Sequence, residues 1–221
     1  MLFPIGDDNI ERGYPAVFSY GFLVLLAAVF LFQTSFPTEY EQRAFVTAYG
    51  CVPADISNGL HLQTLVSSIF LHGSWLHLLG NMLYLWIFAD NIEATVGSFR
   101  FVLFYLTGGL VSGLAQVMID PYSLVPCIGA SGAIAAVMGA YIVMFPHSRV
   151  KMLFLLFFIV FYVPSWVFLG LWFVQQAVSG TSADGMADVS GVAWWAHIGG
   201  FVFGLMMGWH FRGRIVSSRA E

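Results

Sequence analysis

The chain has 221 residues, of which 59% are hydrophobic and only 9% charged, with a mean hydropathy of +0.81. Soluble domains carry about a quarter charged residues, so this composition excludes a soluble globular protein and leaves an integral membrane protein. The length holds about six spans of roughly 20 residues with short connections and no separate soluble domain, and the net charge of −4 gives no sign of a nucleic-acid partner.

Residues 1–16 read as a cytoplasmic tail containing Asp7, Asp8 and Glu11. The apolar run that follows, 17–36, is too long for the core of a secretion signal and has no obvious Ala-x-Ala site, so it is expected to stay as the first anchor. Hydropathy predicts further spans over 74–90, 99–119, 131–145, 151–177 and 192–210. The connection 37–73 is long enough to be structured, and its apolar stretch 62–73 reads as an interfacial approach to the second span. Residues 211–221 form a second cytoplasmic tail. The expected fold class is therefore all-α: a polytopic membrane bundle of six transmembrane helices filling 17–210.

Arg12, Arg100, Arg149, Lys151, Arg212, Arg214 and Arg219 fall on one side of that arrangement, and only Arg43 of the eight cationic residues falls on the other. Positive residues stay cytoplasmic. Both termini are then cytoplasmic, and the loops 37–73, 120–130 and 178–191 are external. Cys51 and Cys127, the two cysteines, allow neither a CxxC redox motif nor a zinc set. Both fall outside, where a disulfide would persist, and the sequence leaves open whether they pair.

Polar residues at membrane depth are costly and usually functional. Ser131 opens the fourth span within Gly129-Ala130-Ser131-Gly132, and His197 lies early in the sixth within Ala196-His197-Ile198-Gly199-Gly200. His77 and Asn81, four apart, share a face in the outer half of the second span. All three segments run inward from outside, so the polar residues converge at one depth. A hydroxyl becomes a nucleophile when a base within reach takes its proton, which makes Ser131 and His197 the candidate catalytic pair. His77 and Asn81 are candidate oxyanion donors. His72 lies about 140° round from His77, near the water boundary, and is given a supporting role.

The docking expected of these spans follows from their small residues. Ala196, Gly200, Gly204 and Gly208 form one row, and Gly132, Ala136 and Ala140 with Ala135 and Gly139 form others. Such rows let helix backbones approach closely in lipid, and laying the fourth span on the sixth brings Ser131 to His197. His61, His147 and His210 read as structural. Asp184 and Asp188 sit in a glycine-rich loop unsuited to orienting a histidine, so a dyad is preferred to a triad. No carboxylate or thiolate accompanies the histidines at a shared depth, and no metal or cofactor is expected. A proton-coupled transporter would want ionisable residues deep in its spans, and the sequence offers none there.

From His61 to Gly208 the sequence resembles the rhomboid intramembrane serine proteases of the minimal six-helix bacterial type. The resemblance is carried by Phe70-Leu71-His72-Gly73-Ser74-Trp75-Leu76-His77-Leu78-Leu79-Gly80-Asn81, by Gly129-Ala130-Ser131-Gly132 and by Ala196-His197-Ile198-Gly199-Gly200, with Glu93 and Gly97 after the second span also familial. It implies Ser131 as nucleophile, His197 as base, His77 and Asn81 as oxyanion donors, His72 in support, and backbone N–H groups near Ser131 with Gly129 permitting the turn. It also implies a bacterial inner membrane, transmembrane proteins as substrates and lipid as surroundings. One departure stands out: some members carry a tyrosine one turn after the serine, stacked on the histidine, where this chain has Ala135. Substrates would enter laterally past a gate on the fifth span, with Phe161, Tyr162, Trp166 and Phe168. The alternative within the same fold is an inactive rhomboid-like protein that binds and escorts membrane clients.

Overall fold

In a computed structural model the structure describes residues 2–8, 13–182 and 192–218. The apolar runs form helices because only a helix pairs its backbone groups within one segment in lipid. They are α1 (Val17–Thr34), α5 (Trp75–Val96), α6 (Ser98–Ile119), α7 (Ser131–Met144), α8 (Ser165–Ser182) and α9 (Trp194–Ser218). By length and composition two of them among the described residues, α1 and α6, are long and apolar enough to cross a membrane. At 14 residues α7 is shorter, about 21 Å long. The tail expected over 211–221 is not separate at its start, since α9 runs on to Ser218.

The connection 37–73 is built from short pieces: α2 (Glu39–Tyr49), α3 (Pro53–Ser57), α4 (Thr64–Ser67) and a 3₁₀ turn over Ser68–Phe70. Thr38 starts α2 with a reciprocal cap, its Oγ1 accepting from the Glu41 N–H at 3.2 Å while the Glu41 carboxylate accepts from the Thr38 N–H at 3.1 Å. Cys51 and Cys127 exchange both backbone hydrogen bonds, at 3.1 and 2.8 Å, and so clamp this connection to the loop that leads into α7. Their backbones pair while their thiols stay free. Burial pushes the Cys51 thiol up to about 11 and the Cys127 thiol up to about 12.

One expected span starts later than expected, and the fold is mostly helical with a small three-stranded sheet rather than helical throughout. Residues 149–164 are not the start of a helix but an antiparallel hairpin of β2 (Arg149–Phe154) and β3 (Ile159–Pro164), with the N-terminal β1 (Leu2–Gly6) on its other edge. The helix begins only at Ser165. Leu156, Phe157 and Phe158 at the hairpin turn are all exposed, so the apolarity of this run belongs to a surface element. Phe161 and Tyr162, expected on a gating helix, lie on β3. Nor is the N-terminal segment a simple tail. Beyond β1, the Asp7 carboxylate accepts from Asn91 Nδ2 at 2.8 Å and from the Tyr141 hydroxyl, and Asp8 pairs with Arg149 at 3.0 Å.

The helices meet through polar anchors at one end and glycines in the middle. Ala16 offers α1 no side-chain cap, and the fully buried Glu93 of α5 replaces it. Its carboxylate accepts from the N–H groups of Phe18 (3.0 Å) and Ser19 (2.7 Å) and from the Ser98 hydroxyl (2.6 Å). Gly97, at φ +85°, turns the chain from α5 into α6. The expected docking of α7 on α9 is realised at backbone distance: a Cβ on Gly200 would lie 2.2 Å from the Gly132 carbonyl oxygen, and one on Gly204 2.0 Å from that of Ala136.

Two expectations follow. Gly204→Ala should separate α7 from α9 and lower the melting temperature by several degrees, whereas Gly80→Ala, with nothing within 4 Å, should be neutral or slightly stabilising. Equal melting temperatures for the two variants would contradict the close docking. The second concerns Asp7, which burial, aided by Asp90 and Asp8, pushes from 3.8 up to about 7 against the hydrogen bonds of Tyr141 and Asn91. A raised folded-state value favours the protonated form, so this stabilisation is full below about pH 4 and lost as pH rises to about 7. Asp7→Asn cannot ionise and should melt about 3–6 °C above the parent at pH 8, with the gain fading toward pH 5. A gain that does not change with pH would remove Asp7 as the titrating group.

Candidate active site

Ser131 is the first residue of α7, where helical N–H groups lack intrahelical partners. Gly129 delivers the chain to that point at φ +118°, a conformation rarely adopted by L side chains. Its N–H donates to the Ser68 carbonyl at 2.9 Å, so the 3₁₀ turn before α5 anchors the bend. Space imposes glycine a second time: a Cβ there would lie 2.7 Å from His77 Cε1 and Nε2 and 3.5 Å from Asn81 Nδ2. The two side chains predicted as oxyanion donors, His77 and Asn81, therefore crowd Gly129 just before Ser131, while the Gly129 N–H itself, expected to help bind the oxyanion, is taken by Ser68.

His197 lies in the first turn of α9, and its Nε2 is 2.7 Å from Ser131 Oγ. The other ring nitrogen, Nδ1, is 2.8 Å from Oε1 of Gln176 on α8. Indole rings flank the imidazole, Trp172 at 5.9 Å and Trp194 at 6.2 Å edge-on. At Ala135 a large ring has no room: the residue is fully buried, and its Cβ would be 3.4 Å from a Cβ on Gly200. The close helix approach that joins serine to histidine thus excludes an aromatic stack from α7.

His72 departs from its expected place at the water boundary. It is fully buried, because α5 begins only at Trp75 and the segment before it is not helical. Gln33 of α1 holds its backbone, donating from Nε2 to the His72 carbonyl at 2.7 Å. Burial, with His77 beside it, pushes the His72 imidazole down to about 4, so the ring is neutral at physiological pH. Its Nε2 sits 2.9 Å from Asn81 Nδ2. A neutral nitrogen can accept one amide hydrogen of Asn81, which fixes the amide and leaves its second hydrogen for the space at Gly129. The Gly73 N–H points at His77 Nδ1, 3.5 Å away, which leaves His77 Nε2 as the nitrogen facing Gly129.

Beside Ser131 lies a cavity of about 40 Å³, walled by Cys51, Ser68, Gly109, Ser112, Cys127 and Ala196. Among the described residues no group of three or more His, Cys, Asp or Glu could hold a metal ion. His61, His147 and His210 are exposed. Asp184 and Asp188 lie outside the described residues. Gln176 was not singled out in the sequence, although one signal points to it. On α8 the buried residues are Ser165, Leu169, Gln176 and Gly180, whose spacings of four, seven and four put them on one helical face, so an amide interrupts an inward-facing stripe.

The profile of the Rhomboid domain matches residues 60–214. Over 214 residues the chain is 28% identical to Rhomboid protein 1, mitochondrial, of Saccharomyces cerevisiae, covering 94% of this chain and 57% of that protein. It is 32% identical over 145 residues to the rhomboid protein YdcA of Bacillus subtilis, covering 63% of this chain and 69% of that one. Over 118 residues it is 31% identical to the presenilin-associated rhomboid-like protein, mitochondrial, of Mus musculus, covering 52% of this chain and 30% of the relative. The chain thus spans little more than half of the yeast protein and less than a third of the mouse one.

Proposed function

This chain belongs to the rhomboid family of integral membrane proteins, in general serine proteases, and from that premise we propose that it is an intramembrane serine endopeptidase cleaving transmembrane segments with a Ser131–His197 pair. The observation that carries the reading is the 2.7 Å contact between Ser131 Oγ and His197 Nε2, made across two helices packed backbone to backbone.

His197 Nε2 takes the hydroxyl proton of Ser131 as Oγ attacks the scissile carbonyl. The negative charge that develops on the carbonyl oxygen falls to the Asn81 amide, the His77 ring N–H and backbone N–H groups at the start of α7. These donors are fixed before the reaction begins, by His72, Gly73 and Gly129 respectively, which is the condition for strong stabilisation of a transient charge. His197 then gives its proton to the leaving amine. Water, deprotonated by the same nitrogen, attacks the acyl-enzyme, the ester bond to Ser131 Oγ breaks and Oγ takes that proton back, freeing the new carboxylate. No cofactor or metal takes part. The small cavity beside Ser131 favours a small side chain at the cut.

The positive-residue distribution supports six spans with both termini cytoplasmic, which turns the site toward the outer face, and the resemblance to the minimal six-helix type implies a bacterial inner membrane. An intact substrate helix hides its carbonyls in internal hydrogen bonds, so substrates should carry a helix-weakening, small-residue segment near the outer end of a span. Lateral entry would run between α5 and α8, which meet where Phe168 stacks on Tyr84 and Phe88 at 6.2 Å.

The test is cleavage of a model single-span substrate with such a segment by the protein reconstituted in liposomes. The parent should cleave it, Ser131→Ala should abolish cleavage, and Asn81→Ala should lower the rate by about 10²–10³-fold. Binding of the substrate without cleavage by parent or variants would instead favour a client-binding, inactive rhomboid-like protein.

A further inference from the structure

We propose that Gln176 is the positioning residue of this site: its side-chain carbonyl holds His197 in the one tautomer that can take the Ser131 proton. The inference rests on the Ser131–His197 reading and deepens it.

A neutral imidazole carries one proton, on one nitrogen or the other. Only the tautomer protonated at Nδ1 leaves a lone pair on Nε2 for the Ser131 hydroxyl. The two short contacts of His197 divide accordingly, with Nδ1 facing Gln176 Oε1 at 2.8 Å and Nε2 facing Ser131 Oγ at 2.7 Å. An amide carbonyl oxygen can only accept, so the proton must sit on Nδ1. Gln176 itself is 3% exposed, held on the buried face of α8 between Leu169 and Gly180. Trp172, one turn earlier on the same helix, lies against the imidazole and Trp194 meets it edge-on. Both indoles thus pack around the ring whose proton Gln176 holds.

The same bond strengthens during the reaction. As His197 accepts the Ser131 proton it becomes a cation, and the Nδ1–H···O=C contact becomes charge-assisted. A neutral amide supplies this without placing a carboxylate at membrane depth, where a charge is expensive. It also resolves how the ring is oriented when Ala135 bars an aromatic stack: the support comes from α8 rather than from α7. A buried glutamine between two helices is, on the plain alternative, an interhelical hydrogen bond alone. That role would be indifferent to which group on α8 accepts and would leave the pH dependence of catalysis untouched.

Those differences define the test, made on the full chain in liposomes with the model single-span substrate. kcat, KM and the pH–rate profile are measured for the parent, Gln176→Leu and Gln176→Glu, with melting temperatures alongside and Ser131→Ala as reference. Gln176→Leu should lower kcat by about 10²-fold, less than the ~10⁴-fold that follows loss of an orienting triad carboxylate, with KM changed less than about twofold. Gln176→Glu should recover most of kcat, since a carboxylate also accepts from Nδ1. It should move the acid limb of the profile to higher pH, because a carboxylate favours the protonated imidazole, which cannot act as base. Unchanged kcat in Gln176→Leu would overturn the proposal. So would equal losses in both variants with an unshifted acid limb, the mark of a packing role. If Gln176→Leu fails to fold, the position of the acid limb in Gln176→Glu decides alone. Cleavage that depends on Ser131 but not on Gln176 would sink this inference only, whereas cleavage surviving Ser131→Ala would sink the catalytic reading and this inference with it.

Discussion

The backbone contact between α7 and α9 is the constraint on which the rest of the site depends. Ser131 and His197 are 66 residues apart, and their side chains are short. They can touch only if two helices approach more closely than ordinary side chains permit. In lipid there is no hydrophobic gain from bringing apolar helices together, so close packing and interhelical hydrogen bonds must hold them. Gly200 and Gly204 on one side and Gly132 and Ala136 on the other remove the obstacle. At Ala135, fully buried beside this contact, there is no room for a large ring, and the polar partner of His197 comes from α8 instead.

Around that contact several buried polar groups are held by a neighbour from a different segment, while the Tyr105 hydroxyl, Gln116 Oε1 and the Trp194 and Trp195 indole N–H groups are buried without a hydrogen-bond partner among the described residues. Gln33 of α1 holds the His72 backbone, His72 holds Asn81, and Glu93 of α5 receives the first N–H groups of α1. Buried polar groups without partners are expensive, while satisfied ones rigidify the packing around them. The loop into α7 is fixed in the same manner, by the Cys51–Cys127 backbone pair and by the Gly129 hydrogen bond to Ser68. Ser131 therefore sits on a well-anchored turn with small residues beneath it, and the pocket next to it is correspondingly small.

Much of this was legible in the sequence because glycine rows and isolated polar residues in apolar runs have few other uses. The pairing of α7 with α9, the meeting of Ser131 with His197, and the shared face of His77 and Asn81 could be inferred from spacing, whereas the place of Gly129 beside them came only from the family resemblance. The hairpin over 149–164 could not. A short apolar run rich in β-branched and aromatic residues cannot be told from a helix by periodicity, and the continuous hydropathy of 151–177 merged two elements across Pro164. How His72 reaches Asn81 could not be read from spacing either, because the angular argument assumed helix between His72 and His77, whereas α5 starts at Trp75. Asp7 looked like a solvated tail residue, since nothing local announces that β1 will pair with β2 and carry it against Tyr141. Gln176 was passed over because one glutamine in an apolar helix carries no motif, and only the partner across the interface gives it meaning.

The central claim is that Ser131 is made nucleophilic by His197, and it is tested most directly by covalent trapping. The protein in liposomes is treated with an alkyl fluorophosphonate, a serine-directed electrophile, and the adduct is located by mass spectrometry in the parent and in His197→Ala. The account predicts phosphonylation of Ser131 in the parent, ahead of every other serine, and its loss in His197→Ala. An unlabelled Ser131 in the parent, or equal labelling without His197, would contradict it.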